Sequence, residues 1–77
     1  MRKELQSVLR TVAQNVRTLR KEGGLSQEGL AELTGLHRTY VGAVERAERN
    51  ITLSTLCSFA KALKTTVPQL LMKQGGR

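Results

Sequence analysis

Residues 36 to 52, LHRTYVGAVERAERNIT, combine side chains that make directional hydrogen bonds with side chains that occupy almost no space. If the segment is helical, a period of about 3.6 residues brings five of its residues to one face: Arg38, Thr39, Gly42, Ala43 and Arg46. An arginine guanidinium makes paired hydrogen bonds to phosphates and to the O6 and N7 atoms of guanine, and a threonine hydroxyl donates and accepts. The pattern therefore favours binding of a polar or anionic surface that approaches the helix backbone closely.

The major groove of DNA has the width to admit one α-helix, and its base edges present the acceptors that arginine recognises. Small residues bring the helix backbone close to the bases, while Arg38 and Thr39 reach them and flanking amides and arginines hold phosphates. The alternative is an ordinary bundle helix that is small on one face and whose arginines point to water. The charge of the chain and the turn that precedes the helix favour the DNA-binding interpretation.

The whole chain is strongly basic, with 13 lysines and arginines against 6 acidic residues, a net charge of +7 and an isoelectric point near 10.6. Such an excess favours polyanionic partners, either nucleic acid or an acidic membrane surface, although it also serves to keep a protein in solution. No apolar run approaches the roughly 20 residues that span a bilayer, and the N-terminus lacks the apolar stretch of a signal peptide. We therefore expect a cytoplasmic protein without a membrane partner.

The residues that usually support catalysis or bind metals are scarce. Cys57 and His37 are each the single residue of their type, which argues against a disulfide, a zinc site and most histidine-based catalysis. There is no glycine-rich phosphate loop and no metal-binding constellation. We expect no enzyme activity, no cofactor, no metal and no small-molecule ligand, and we expect Cys57 to be a small buried or interfacial residue.

Helix signals divide the chain into five segments of one all-α domain, residues 1–77. Gly23-Gly24 and Gly35 predict helix ends, Ser26 and Thr52 predict N-caps, and Thr66 to Gln69 forms a capping box with Pro68 in the first turn. The predicted helices span roughly residues 3–22, 27–34, 38–46, 53–63 and 67–73. Because a short turn containing glycine joins the second and third, they form a helix-turn-helix candidate.

Helical periodicity also predicts which side chains form the core. On the third helix Val41 and Val44 face inward, opposite the face that carries Gly42 and Ala43. The inward stripes of the other long segments are Leu5, Val8, Leu9, Val12, Val16 and Leu19, then Leu30, Ala31 and Leu33, then Leu53, Leu56, Phe59, Ala60 and Leu63.

The run SQEGLAELTGLHRTYVGAVERAERNITLSTLCSFAKAL, residues 26 to 63, resembles the helix-turn-helix domain of phage Cro and repressor proteins, the XRE family. Within that family, LHRTYVGAVERAERN is most similar to the controller proteins of restriction–modification systems. The resemblance extends over residues 10 to 72, so we expect no second, ligand-binding or catalytic domain. It implies a compact five-helix bundle of the lambda repressor type that dimerises, binds a two-fold operator and regulates transcription. Controller proteins regulate the transcription of their own gene and of the restriction endonuclease gene.

The resemblance also implies roles for individual residues. Arg38 and Thr39 match base-reading positions, and His37 lies at the N-cap of the same helix, where many repressors have serine or threonine. Many repressors also have glutamines in place of Arg38 and Thr39, so the operator sequence does not follow from theirs. The implied phosphate-contacting residues are Gln27, Tyr40, Arg46, Arg49 and Asn50, and the implied structural ion pair is Arg20 with Glu45. Each of two residues also has a simpler role that needs no DNA: Tyr40 packs within the fold, and His37 caps the helix.

Dimerisation is expected to use the fourth and fifth helices, because the first three are committed to the core and to DNA. The candidate interface residues are Phe59, Val67, Leu70, Leu71 and Met72. The expected partners are a palindromic double-stranded operator, a second copy of the chain and RNA polymerase.

Three other functions compete with a controller. A prophage repressor or a DNA-binding antitoxin has the same helix-turn-helix, although an antitoxin usually carries an extra segment for its toxin. A small RNA-binding or protein-interaction module usually displays aromatic residues for stacking, and here only Tyr40 is near the relevant surface. An enzyme is the least supported.

Overall fold

A computed structural model describes residues 2–74, and these form five α-helices without a strand. The helices are α1 (Lys3–Glu22), α2 (Gln27–Thr34), α3 (Arg38–Glu45), α4 (Leu53–Ala62) and α5 (Val67–Leu71). The last three end one or two residues earlier than predicted. The predicted all-α class with a helix-turn-helix is confirmed.

Hydroxyl side chains cap the N-termini of three of the helices. The side chain of Ser26 accepts a hydrogen bond from the amide of Gly29 at 2.9 Å, Thr52 accepts from Thr55 at 3.1 Å, and Thr66 accepts from Gln69 at 3.2 Å. Because the first turn of a helix leaves amides without partners inside the helix, each hydroxyl fixes the residue at which its helix begins.

The turns on either side of α2 require left-handed backbone. Gly24 has φ 72° and Gly35 has φ 74°, a region that side chains with a Cβ rarely adopt. After Gly24 the amide of Leu25 donates to the carbonyl of Arg20 at 2.9 Å, and after Gly35 the amide of Leu36 donates to that of Ala31 at 3.1 Å. Both helix ends are thereby closed, and the second turn leads directly into α3.

One core cluster draws on all five helices: Val12, Val16, Leu30, Ala31, Val41, Val44, Leu56, Phe59, Ala60 and Leu70. Val41 and Val44 are buried as predicted, which fixes the rotation of α3 about its axis. Leu36, in the turn between α2 and α3, packs against the same cluster. The opposite face of α3 is consequently directed outward.

Several expectations about burial are wrong. Leu33 and Leu53, assigned to the core by periodicity, are 60% and 72% exposed, because α2 packs through Leu30 and Ala31 and Leu53 is the first residue of α4, outside the core cluster. Val8 is also exposed. Cys57 is exposed in the single chain, so of its two expected positions only the interfacial one stays a prediction.

Two of the residues predicted to form the dimer interface belong instead to the interior of the single chain. Phe59 and Leu70 have no exposed surface, since both lie in the core cluster where α4 and α5 meet the other helices. They are unavailable to a partner. Val67 is half-buried, whereas Leu71 and Met72 are exposed.

A buried amide holds α5 on α1. Asn15 of α1 is 3% exposed, and its side-chain nitrogen donates to the carbonyl of Leu70 at 2.8 Å, to that of Met72 at 2.9 Å and, more weakly, to that of Gln69 at 3.4 Å. The carbonyls of Leu70 and Met72 lie at the end of α5, where the helix itself offers them no partner. Within residues 2–74, no helix is long and apolar enough to cross a membrane.

Candidate nucleic-acid interface

The outward face of α3 carries the polar residues that the sequence places there. Arg38 and Thr39 are exposed in its first turn, Ala43 is half-buried, and Arg46 is exposed immediately after its last residue. Their side chains are separated from the core by the buried Val41 and Val44. The helix therefore presents donors outward while its apolar side anchors it.

A groove of about 560 Å³ lies between the start of α2 and the outward face of α3. Three arginines and the capping serine of α2 contribute to its walls. Backbone amides in the first turn of a helix carry partial positive charge, so this arrangement attracts an anion such as a phosphate. The lining residues are Arg20, Ser26, Gln27, Glu28, Arg38, Thr39, Gly42 and Arg46.

His37 caps α3. Its Nδ1 atom accepts a hydrogen bond from the amide of Thr39 at 3.0 Å, so the imidazole does what a serine or threonine hydroxyl does at this position. The predicted capping role is confirmed. Because His37 is also exposed, its contact with a base stays a prediction.

The part of α3 that has small side chains is less accessible than predicted. Gly42 is buried, because the side chains of Arg46 and Gln27 extend over it. A Cβ built on Gly42 would lie 3.1 Å from Arg46 Nη1 and 3.5 Å from Gln27 Oε1. The absence of a side chain at Gly42 thus makes room for two polar groups of the chain itself, and any close approach of a ligand to the backbone here requires them to move.

The predicted ion pair between Arg20 and Glu45 is present and almost fully buried. Arg20 Nε donates to Glu45 Oε2 at 2.6 Å and Arg20 Nη2 donates to Glu45 Oε1 at 3.0 Å, with side-chain exposures of 11% and 2%. Arg17 donates to the backbone carbonyl of Glu45. Since Arg20 Nη1 also donates to the carbonyl of Leu25 at 2.9 Å, this guanidinium is engaged within the fold and has a structural role.

Glu45 also positions Gln27 at the start of α2. Gln27 Nε2 donates to Glu45 Oε1 at 3.0 Å, which links the buried ion pair to a residue on the rim of the groove. A side-chain amide has two hydrogens, so the second one and the backbone amide of Gln27 are the groups suited to an external phosphate. Sequence reasoning expected the external contact and missed the internal one.

The segment after α3 is held by Tyr40. The guanidinium of Arg49 lies over the Tyr40 ring, 5.4 Å from its centroid, and the ring itself is half-buried against the core. The chain reverses at Ala47, which has φ 57°, and the amide of Glu48 then donates to the carbonyl of Ala43 at 2.9 Å. Tyr40 thus combines packing against the core with a position beside Arg49, for which a phosphate contact stays a prediction. Asn50 is exposed next to Arg49.

Two acidic residues at this surface were not predicted. Glu28 Oε1 lies 3.8 Å from Arg38 Nη1, and Glu48 Oε1 accepts from Arg46 Nε at 3.0 Å. No sequence signal indicated either pair, because the partners lie on different helices or in a loop. In the described part of the chain, no cluster of His, Cys, Asp or Glu residues could hold a metal ion.

The chain is similar in sequence to helix-turn-helix proteins, control proteins among them. The helix-turn-helix family model HTH_3 matches residues 16–70. The control protein C.SmaI of Serratia marcescens is 64% identical over 64 residues, which cover 83% of this chain and 76% of that protein. Control protein C.BamHI of Bacillus amyloliquefaciens is 41% identical over 59 residues, covering 75% of this chain and 73% of that protein.

Solved structures share the fold. The restriction-modification controller protein C.AhdI from Aeromonas hydrophila superposes with a TM-score of 0.77 at 47% identity, covering 80% of this chain and 94% of that one. SinR, a master regulator for biofilm formation solved in complex with DNA, gives a TM-score of 0.76 at 31% identity, covering 79% and 98%.

Proposed function

The chain belongs to the HTH_3 helix-turn-helix family, and from this we propose that it is a sequence-specific DNA-binding transcriptional regulator, a controller protein of a restriction–modification system. The observation that carries the proposal is the outward face of α3, where Arg38 and Thr39 project beside the start of α2, whose backbone amides carry partial positive charge. The 64% identity to a control protein supports the controller assignment.

Phosphate contacts set the position of the protein on DNA in this proposal. The amides at the start of α2, with the free hydrogen of Gln27, receive one phosphate, and Arg46, Arg49 and Asn50 hold the backbone beyond the other end of α3. Arg49 is already oriented by the Tyr40 ring, which reduces the freedom that it loses on binding. These contacts provide affinity and orientation without reading sequence.

Bases are read from the first turn of α3. Arg38 has the length and the paired donors to bind the O6 and N7 atoms of a guanine, and Thr39 lies beside it with a hydroxyl and a methyl group that suit a thymine. His37 caps the helix at the same end, so the three residues approach neighbouring base pairs. We propose Arg38 as the principal base-reading residue.

The proposed active form is a homodimer on a palindromic operator. Two copies related by a two-fold axis place their α3 helices in successive major grooves, about 34 Å apart. Of the interface residues predicted from sequence, Val67, Leu71 and Met72 keep exposed or half-exposed apolar surface for the partner. Leu53 adds an exposed apolar side chain on α4.

We further propose that the chain acts in the bacterial cytoplasm by binding, without catalysis, and that RNA polymerase is the second partner of the operator complex. The sign of regulation then depends on where the dimer sits relative to the promoter.

The experiment that tests this proposal is a selection of bound sequences from a pool of random DNA duplexes at about 0.15 M salt, near physiological ionic strength. A DNA-reading dimer enriches one motif with two-fold symmetry and half-sites about one helical turn apart. Enrichment without symmetry would contradict the dimer, and no enrichment would contradict sequence-specific binding.

A further inference from the structure

Glu28 is the only acidic residue in the wall of the groove between α2 and α3, among the residues that the structure describes. It lies in the first turn of α2, next to Gln27. Its carboxylate Oε1 is 3.8 Å from Nη1 of Arg38, and the two side chains are 74% and 67% exposed. An acidic residue reduces the attraction of this surface for phosphates, so its presence beside the principal arginine requires another explanation.

The geometry of the arginine supplies that explanation. A guanidinium has five N–H donors, and a guanine uses two of them, so Arg38 can contact the base edge and keep a donor directed at Glu28. When Arg38 instead turns to a phosphate, it leaves Glu28, whose carboxylate then faces the negatively charged backbone without a cation. The pair therefore disfavours the phosphate-bound orientation more than the base-bound one.

We infer that Glu28 is a positioning residue that sets the specificity of DNA reading by holding the Arg38 guanidinium towards the bases. This inference rests on the proposed function, in which Arg38 reads a base. Glu28 contributes no affinity of its own, and it lowers binding to random sequence more than binding to the cognate site.

The test is the variant Glu28→Gln, which keeps the length of the side chain and removes its charge. We expect tighter binding to random duplex. We also expect the ratio of cognate to random affinity to fall by about 1.4- to five-fold, the range that exposed ion pairs span. The loss of discrimination is expected at one base pair, the one that becomes degenerate in Arg38→Ala. Affinities are measured by fluorescence anisotropy with the selected operator, its single-base variants and a random duplex.

The matched control is Glu32→Gln. Glu32 lies one turn further along α2, is exposed, and makes no ion pair within residues 2–74, so its substitution changes the net charge equally without touching Arg38. We expect Glu32→Gln to leave the ratio of affinities unchanged. Both substitutions are at exposed positions, and equal thermal unfolding midpoints check that the fold is retained.

A second control asks whether Glu28 acts through Arg38. In the Arg38→Ala background, Glu28→Gln is expected to leave discrimination unchanged, because the residue that it positions is absent. The inference is overturned if Glu28→Gln and Glu32→Gln alter the ratio equally, or if Glu28→Gln still lowers it when Arg38 is absent. A wild-type protein that fails to discriminate between the two duplexes overturns the proposed function itself, and this inference with it.

Discussion

At the scale of single residues, the side chains that face outward were easier to predict than their partners. Arg38 and Thr39 follow from helical geometry alone, since a helix that buries Val41 and Val44 must expose them. The contacts of Gln27 with Glu45 and of Arg49 with Tyr40 could not be predicted in the same way. They depend on how separate elements meet, and spacing along the chain carries no information about that.

Arg49 provides a prediction about the salt dependence of binding. Its guanidinium lies over the Tyr40 ring beyond the end of α3, and we propose that it neutralises one phosphate without touching a base. Arg49→Ala is expected to weaken binding to cognate and random duplexes alike and to lower the slope of log K against log salt by about one.

The control is Arg10→Ala on α1, an exposed arginine outside the walls of the groove. It is expected to change the slope much less. Titrations of a labelled duplex at four salt concentrations give both slopes, and a sequence-dependent loss in Arg49→Ala would argue against a phosphate contact.

At the scale of elements, helix ends are encoded locally and helix orientations are not. Ser26, Gly35 and Thr52 each fix a boundary through hydrogen bonds within a few residues, and the sequence predicted all three. The relation of α1 to α3 depends instead on the buried pair of Arg20 and Glu45, which only the resemblance to a known family indicated. The prediction that Leu33 and Leu53 are buried was wrong for the same reason. Periodicity shows which residues share a helix face, but it does not show which element packs against that face.

Removing the buried carboxylate is expected to destabilise the fold strongly. In Glu45→Ala the guanidinium of Arg20, 11% exposed, loses both of its carboxylate contacts and stays buried as an unpaired charge. We expect the free energy of unfolding to fall by about 3–5 kcal/mol. Urea denaturation followed by circular dichroism measures it.

The exposed pair of Arg46 with Glu48 is the matched comparison. Its side chains are 57% and 58% exposed, so Glu48→Ala is expected to cost at most about 1 kcal/mol. A similar small loss in Glu45→Ala would show that the buried pair does not hold α1 to α3.

Gly42 tests whether the outward face of α3 must be free of bulk. A Cβ at Gly42 meets the side-chain ends of Arg46 and Gln27. The Arg46 end is exposed and can move outward, whereas the Gln27 amide is hydrogen-bonded to Glu45 at 3.0 Å and is displaced by a larger side chain. Leucine favours helix over glycine by up to about 1 kcal/mol, which offsets the loss of a hydrogen bond worth about 1 kcal/mol, so Gly42→Leu is expected to fold with a stability within about 1 kcal/mol of the wild type. Binding to every duplex is expected to weaken by about tenfold or more, a loss of at least about 1.4 kcal/mol. A variant that folds and binds normally would show that α3 does not approach DNA closely.

At the scale of the whole molecule, the five helices and the common core were predicted from the sequence. The sequence did not show which apolar residues of α4 and α5 belong to the core and which are available to a dimer interface. Phe59 and Leu70 were assigned to the dimer interface because the first three helices were committed to the core and to DNA, which left α4 and α5 for the partner. The structure buries both in the common core, and Asn15 of α1 holds α5 in place. Whether an apolar residue faces its own chain or another depends on three-dimensional packing, which a linear pattern does not specify.

The remaining exposed residues of α5 and the residue that follows it lead to a prediction about assembly. We expect the protein to elute from gel filtration as a dimer at micromolar concentration, and the double variant Leu71→Lys, Met72→Lys to elute as a monomer with the same helical content. Both side chains are exposed in the single chain, at 40% and 54%, so the charges cost little within the monomer. Leu33→Lys on α2, at a side chain that is 60% exposed, is the control and is expected to remain dimeric. A monomeric wild-type protein would contradict the proposed assembly.

The most direct test of the account is the effect of Arg38→Ala on discrimination between the selected operator and a random duplex. Arg38 is exposed and lies outside the core, so its replacement leaves the fold unchanged. If the outward face of α3 reads base edges, the variant loses about 1–3 kcal/mol of binding to the operator, loses much less on random DNA, and becomes tolerant of substitution at one base pair in each half-site. If instead it binds both duplexes with the wild-type ratio and the wild-type preference at every position, then α3 does not read DNA through Arg38, and the proposed mode of recognition is wrong.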